Sequence, residues 1–572
     1  MGLFAENLDL IEIEGREAGQ IFRSSLDLPR DLPDIYDRLE RGGHEHPNRA
    51  LLTAPAPNGR TILSYADALR TAETVHARLA RRHGMRPGRR LASLVPAGVD
   101  ALILKIACLR AGVVHIALPP FPFREGGANE VAAHLLAISQ PDLVVAPDDH
   151  PAVAAAGAIP VSTVTTRDAD EPGDPIGRAA AVASDWAAIF FTSGSTGQPK
   201  GVPITRCMIA SNQAAYSLLW PFLAEEPPVL LDWLPWHHVF GGLDNIFKVV
   251  WHGGTMHVDA PPSPETVRET VRLLGDLGAT MYIAVPRGLK DLLTCLEEDA
   301  AVAARATRRL RAVFFAGAGI DQSLWVRLRS FRDRCGTFEV LSGYGATEVA
   351  STICLGPGPL ERPGELGHPL PGHEIRLADA EGRTELRVKG PNVAPGYLAE
   401  QGLEPLPTDE LGFYRTGDAA ILHRRDDGQQ VFLFDGRIAE DFKLSNGVKV
   451  RVGMLRAALL SRCAPLVDDV VVAGENADRL VALFFPSASA ANDRDLIDRI
   501  AGVLGGWNAE NPAGSTAISR FGIAAVPPNK TRGEVSDKGQ IVQSRYLRNY
   551  TATFAALLAG EGHAPSRARR PE

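Results

Sequence analysis

The sequence of 572 residues predicts an α/β protein with more than one domain. Three observations carry that expectation. Short apolar runs alternate with amphipathic stretches in a strand–helix–strand rhythm, the pattern of a largely parallel sheet. Several of those runs end in glycines, where open α/β layers hold ligands. The length also exceeds what one hydrophobic core serves, which suggests roughly three to four folding units.

The elements follow in order. Residues 1–30 read as a loosely defined leader. Ser64-Tyr65-Ala66-Asp67-Ala68-Leu69 opens an amphipathic helix that runs through Leu79. Leu91 to Val95 reads as a strand, Asp100 to Ala111 as a helix and Val113 to Leu118 as the next strand. Thr166 to Arg178, rich in Asp, Pro and Gly, reads as a solvated connector. Ala187 to Phe191 is apolar enough for a buried strand. Ala312 to Ala316, Thr337 to Leu341 and Glu385 to Val388 are strand-like and each runs into glycines. A new rhythm begins beyond Asp435-Gly436-Arg437 and continues through Val470 to Phe485, so the expected division is 1–437 and 438–572. Pro565 to Glu572 is polar and proline-rich, which predicts a disordered end. No internal repeat is evident.

Composition narrows the partners. With 45% hydrophobic and 22% charged residues and a net charge of -8, the chain has no basic excess for nucleic acid. No apolar stretch reaches the roughly 18 residues of a membrane span. Met1 to Leu10 lacks the basic-then-apolar order of a signal peptide, so a soluble cytoplasmic protein is expected. Cys108, Cys207, Cys295, Cys335, Cys354 and Cys463 show neither C-x-x-C pairing nor metal-ligand spacing and read as reduced thiols.

After the apolar run, Thr192-Ser193-Gly194-Ser195-Thr196-Gly197-Gln198-Pro199-Lys200-Gly201 forms a hydroxyl-rich, glycine-rich, lysine-terminated loop. Gly194 and Gly197 let backbone N–H groups turn toward an anion, Ser193, Ser195 and Thr196 add donors, and Lys200 adds charge. No glycine directly precedes Lys200, so the spacing departs from that of P-loop NTPases. A serine- and glycine-rich cluster by itself is more often a surface turn. Here the full string resembles the phosphate loop of the adenylate-forming enzymes, the superfamily of acyl-CoA synthetases, peptide-synthetase adenylation domains and luciferases, and further motifs follow in that family's order.

The resemblance, which covers roughly residues 30 to 550, implies a role for each motif. In Ser342-Gly343-Tyr344-Gly345-Ala346-Thr347-Glu348, Tyr344 would stack on adenine, Thr347 would contact the α-phosphate, and Glu348 with Thr196 would hold Mg²⁺. Gly317 and Ala318 would line a slot one ring thick for the base, while Asp418 and Arg437 would receive the ribose. Lys538, in Gly533-Glu534-Val535-Ser536-Asp537-Lys538-Gly539, resembles the lysine that reaches carboxylate and α-phosphate during adenylation. Lys443 and Gly447 match positions used in thioester formation by a small mobile α+β C-terminal domain, which follows a large N-terminal domain of layered α/β sheets in this family.

The implied reaction makes an acyl-AMP from ATP and a small carboxylic acid, then an acyl thioester with coenzyme A. Ala439 replaces the usual hinge Lys or Asp, and Met454-Leu455-Arg456 stands where most members are acidic. With Asp232-Trp233-Leu234-Pro235-Trp236-His237-His238-Val239-Phe240-Gly241-Gly242, these departures resemble the feruloyl-CoA synthase branch and imply an aromatic or phenylpropenoid acid. His238 matches a tunnel-gating position, and Trp236, Phe240, Val285 and Pro286 would wall a flat apolar pocket. His237, Asp244 and Lys248 would add a preference for a polar substituent if any faced that pocket. Transfer to an acyl carrier protein, a luciferase-like oxygenation and a nucleotide-binding pseudoenzyme are the rival readings.

Overall fold

The computed structural model describes residues 3–5, 8–13, 20–119, 130–154, 157–166, 176–182, 184–192, 199–263, 265–487, 490–529, 532–535 and 541–566. A large sheet-rich N-terminal domain is followed by a smaller C-terminal one. Among the described residues the N-terminal domain is built on a 15-stranded and an 8-stranded sheet.

The 8-stranded sheet carries the predicted rhythm. Arg90–Ser93, Val114–Ala117 and Trp186–Thr192 run parallel, with Val99–Ala111 as the crossover helix between the first two. Nearly every side chain of that helix is buried, because it packs on the sheet and on the Tyr65–His83 helix, and so it lacks a polar face. Tyr65–His83 starts where Ser64 accepts a hydrogen bond from Asp67 N–H and ends at Gly84, whose φ of 61° suits glycine. Lys200–Thr205 turns back antiparallel on Trp186–Thr192, pairing Lys200 with Thr192 across the connection of residues 193–199.

The larger sheet is mixed rather than largely parallel. Ala50–Ala56, Thr255–Val258, Val229–Asp232, Met281–Ala284, Ala312–Ala316 and Glu339–Tyr344 form a parallel block. The sheet then continues antiparallel through Glu365–Pro369, Gln430–Arg437, Tyr414–Arg424 and Arg383–Lys389. Its far edge corrects the expectation of a loose leader. Leu10–Glu12 and Gln20–Ser24 are strands of this sheet, and Phe22 is buried edge-on against Phe432 at 5.5 Å. Two short runs separated by polar residues gave too little periodicity to be read as strands; long-range pairing holds them.

The C-terminal part packs a three-stranded sheet, Val467–Ala473, Leu480–Pro486 and Ile518–Ile523, against Val452–Cys463 and Leu496–Glu510, burying its own core around Leu459, Phe484, Leu504 and Phe521. Among the described residues no helix is long and apolar enough to cross a membrane, and all six cysteines are free thiols. The expected connector lies in part, and the expected disordered end from residue 567 onward, outside the described residues.

Candidate functional site

The site forms where strands of both sheets end. Ala316 and Gly343 are register partners on adjacent parallel strands, so Gly317-Ala318 and Tyr344-Gly345 leave the sheet side by side. Gly317 sits at φ 81°, a left-handed conformation that favours glycine, and Gly317 and Ala318 are half-buried. Three strands separate Glu339–Tyr344 from Tyr414–Arg424 in the sheet order, yet the Tyr344 hydroxyl donates to Asp418 Oδ2 at 2.7 Å. The sheet therefore curls around this end. Burial first, and the Asp418 carboxylate second, push the Tyr344 phenol well above its usual range, so it stays a donor.

Asp418 is fixed from behind. Its N–H donates to Thr416 Oγ1 at 3.1 Å, Thr416 Oγ1 donates to the Leu386 carbonyl at 2.5 Å, and the Gly417 N–H reaches buried Glu385 at 3.1 Å. Arg437 ends the neighbouring strand as the register partner of Asp418, with Nε 3.4 Å from Asp418 Oδ1 and its side chain 65% exposed. The pair is thus one half-buried carboxylate and one solvent-facing guanidinium.

Glu348 follows in the tight turn Thr347–Val349 and is buried. Tyr397 donates its hydroxyl to Glu348 Oε1 at 2.7 Å, and Lys200 Nζ lies 4.6 Å from the centre of the same Tyr397 ring. Tyr397 therefore joins the lysine that closes the phosphate-type loop to the carboxylate of the second motif. Sequence reasoning missed it. The turn Asn392-Val393-Ala394-Pro395-Gly396-Tyr397 signals a loop that presents an aromatic, but nothing local says which carboxylate it meets.

Among the described residues no cation lies within ion-pairing distance of Glu348, and no three His, Cys, Asp or Glu side chains group to enclose a metal. A buried carboxylate with one neutral donor is short of positive charge. A hard divalent ion held there would share its coordination with a substrate's oxygens.

Other predicted residues fall elsewhere. Ser193, Gly194, Ser195, Thr196, Gly197 and Lys538 lie outside the described residues; Thr192 is half-buried at its strand end. Lys443 and Gly447 are exposed on the hairpin of Phe442–Lys443 and Lys449–Val450, which leans on the N-terminal domain through Lys449 Nζ and the Glu381 carbonyl at 3.0 Å. His238 is half-buried, its ring 4.7 Å from that of His237. Phe240, half-buried and edge-on to Phe314 at 5.7 Å, opens the π-helical turn Phe240–Asn245, an irregularity frequent at functional sites.

Two expectations about the acid pocket are corrected. Trp236 is only 6% exposed and donates its indole N–H to Asp232 Oδ2 at 3.0 Å, so it is core rather than wall. Asp244 and Lys248 are fully buried and pair at 3.2 Å, so neither faces a pocket. Two opposite charges one helical turn apart can face each other in the core, which spacing alone does not reveal.

Comparison with known proteins gives the family and the fold. The profile described as AMP-binding enzyme matches residues 39–398, more than half of the chain, and that described as AMP-binding enzyme C-terminal domain matches 440–561. The chain is 26% identical over 523 residues to 4-coumarate-CoA ligase 2 of Narcissus pseudonarcissus, covering 83% of this chain and 87% of that protein. It is 27% identical over 508 residues to the probable non-canonical nonribosomal peptide synthetase CymA of Salinispora arenicola (strain CNS-205), covering 84% of this chain but only 6% of that protein. The fold superposes on O-succinylbenzoate coenzyme A synthetase (MenE) from Bacillus subtilis in complex with AMP, with TM-score 0.71 and 21% identity, covering 90% of this chain and 98% of that one.

Proposed function

The chain belongs to the AMP-binding enzyme family, and from that premise we propose that it joins a carboxylic acid to a thiol through an acyl-AMP. The convergence of Tyr344, Asp418 and Arg437 at one end of the site with Glu348, Tyr397 and Lys200 at the other carries the reading. A flat ring beside a glycine slot suits adenine, a fixed carboxylate suits ribose hydroxyls, and Lys200 with the loop before it suits phosphates. Glu348 would hold Mg²⁺, which would neutralise phosphate charge.

In the first step a carboxylate oxygen of the acid bonds to the α-phosphorus of ATP and the P–O bond to the β-phosphate breaks, releasing pyrophosphate. Lys200, Thr347 and Lys538 stabilise the charge that gathers there. In the second step a thiol sulfur bonds to the acyl carbon, its proton passes to solvent, and AMP leaves. Lys443 and Gly447 serve that step, carried by a C-terminal domain that begins at residue 438 and turns about the hinge near Ala439. The thiol is coenzyme A and the acid aromatic or phenylpropenoid, such as ferulate; Phe240, Val285 and Pro286 wall its pocket and His238 stands at the entrance. The similarity to a coumarate–CoA ligase supports this choice.

A second reading keeps the adenylate and changes the acceptor to the phosphopantetheine arm of a carrier protein, which the similarity to a peptide synthetase supports. ATP–pyrophosphate exchange over ferulate, coumarate, benzoates and fatty acids, followed by addition of coenzyme A, tests both. Exchange with an aryl acid and its conversion to a coenzyme A thioester is the expected result. Exchange without transfer to coenzyme A favours the carrier protein, and no exchange with any acid overturns the proposal.

A further inference from the structure

The turn that presents Glu348 is strained. Ala350 and Ser351 are consecutive non-glycine residues with φ of 51° and 87°, in the left-handed region that side chains resist. The turn is also closed on itself. A Cβ at Gly345 would lie 1.8 Å from the Ser351 carbonyl oxygen, and the N–H of Ser351 donates to the Ala346 carbonyl at 3.2 Å. Such a conformation persists only where its surroundings over-determine it.

Those surroundings converge on Thr352, the residue that follows the strained pair. Its carbonyl accepts from Asn212 Nδ2 at 3.2 Å and Asn392 Nδ2 at 3.4 Å, and its hydroxyl meets the Tyr216 hydroxyl at 2.9 Å. Two residues beyond Asn392, the Ala394 N–H donates to the Glu348 carbonyl at 2.8 Å, so one loop clamps both ends of the turn. Tyr216, Asn212, Asn392 and Thr352 are all buried.

The direction of the hydrogen bonds follows from charge. Tyr216 donates to Asp244 Oδ2 at 3.3 Å, and the same oxygen lies 3.2 Å from Lys248 Nζ. A phenol has one proton. With that proton directed at the carboxylate, Thr352 must donate to Tyr216, which fixes both hydroxyls. Lys248 Nζ also lies 3.1 Å from the centre of the Tyr216 ring, holding the ring under the turn.

We propose that Tyr216, backed by the Asp244–Lys248 pair, is a positioning residue for Glu348: through Thr352 it holds the left-handed Ala350–Ser351 turn that aims the Glu348 carboxylate. The inference rests on Glu348 as the Mg²⁺ carboxylate. Tyr216→Phe and Thr352→Val each delete one hydroxyl at nearly constant shape. Calorimetric binding of ATP across a Mg²⁺ series, AMP binding without metal, and thermal unfolding are compared with wild type and with Glu348→Gln.

Each single variant should need five- to twentyfold more Mg²⁺ for half-maximal ATP binding, the double variant no more than either single one, and AMP binding should stay within twofold. A purely structural role would weaken both nucleotides alike as Tm falls, and that result overturns the proposal. So does an unchanged Mg²⁺ requirement in Thr352→Val, which decides the matter even if Tyr216→Phe fails to fold, while Glu348→Gln shifts it. If Glu348→Gln also leaves the Mg²⁺ requirement unchanged, the metal role of Glu348 falls, and the inference with it.

Discussion

The end of the site that gathers Tyr344, Asp418 and Glu348 and the hairpin that carries Lys443 and Gly447 are held by different means. At the first, Tyr344 ends a strand, Asp418 lies within one and Glu348 follows in a tight turn, held by hydrogen bonds among Tyr344, Thr416, Tyr397 and backbone, with the exposed Arg437 beside Asp418. The hairpin that carries Lys443 and Gly447 is exposed, and charge anchors the segment leading to it. Arg383, 1% exposed, grips Asp441 and both the carbonyl and the carboxylate of Asp435, with Asp435 Oδ2 at 3.0 Å. Strand ends give preorganised geometry at little further cost. A buried guanidinium spanning a domain junction gives an attachment whose two sides depend on each other, since either alone leaves a buried charge.

The sharpest way to break this comparison is to separate the two half-reactions. Lys538→Ala should lower acyl-AMP formation on the order of 10²–10³-fold and leave thioester formation from supplied acyl-AMP nearly intact, and removal of Mg²⁺ by chelation should do the same. Lys443→Ala should give the reverse pattern. Equal loss of both steps in either variant, followed by pyrophosphate release and thioester assays, would refute the division of labour.

Arg383→Met comes next. It leaves Asp435 and Asp441 buried without their partner, so unfolding should show the C-terminal part weakened by about 3–5 kcal/mol. Thioester formation should then suffer more than exchange. A variant as stable as wild type would show that the anchor is not ionic.

A pH test sharpens the comparison from the nucleotide side. Lys105 is buried behind the Trp186–Thr192 strand, its Nζ 5.3 Å from the Phe190 ring and 3.5 Å from His115 Nδ1, and burial pushes it down to about 8. Between there and an ordinary lysine near 10.5 the unfolded chain binds a proton that the folded chain has lost, so stability rises with pH across that window. The gap by which Lys105→Met exceeds wild type should therefore narrow by about 3 kcal/mol from pH 8 to 10.5. Cys108, pushed up to about 12 by burial, is common to both proteins and largely drops out of the difference. A constant gap, measured by denaturant unfolding, would show Lys105 charged throughout.

The smallest effect belongs to the proposed ribose contact. Asp418→Asn keeps the shape and removes the charge, so KM for ATP should rise about tenfold, and KM for supplied acyl-AMP, which carries the same ribose, should rise with it. An unchanged KM would take Asp418 out of nucleotide binding.

The sequence by itself determined the family and the motifs from which the candidate site is built. Strand-ending glycine motifs around Gly317, Tyr344 and Asp418 are local patterns, and so are the strand–helix alternation and the central elements, of which Ala312–Ala316 falls where periodicity put it. Local pattern suffices because backbone conformation and the switch from apolar to glycine-rich are set within a few residues. Tertiary structure alone decided what meets what. Tyr397 joins Lys200 to Glu348, Tyr216 reaches Thr352 from 136 residues away, Asp244 and Lys248 turn inward to each other, and Leu10–Glu12 becomes a sheet edge. Such contacts depend on how two sheets pack and curl, which is fixed by the sum of burial over the whole chain and leaves no mark at any one position.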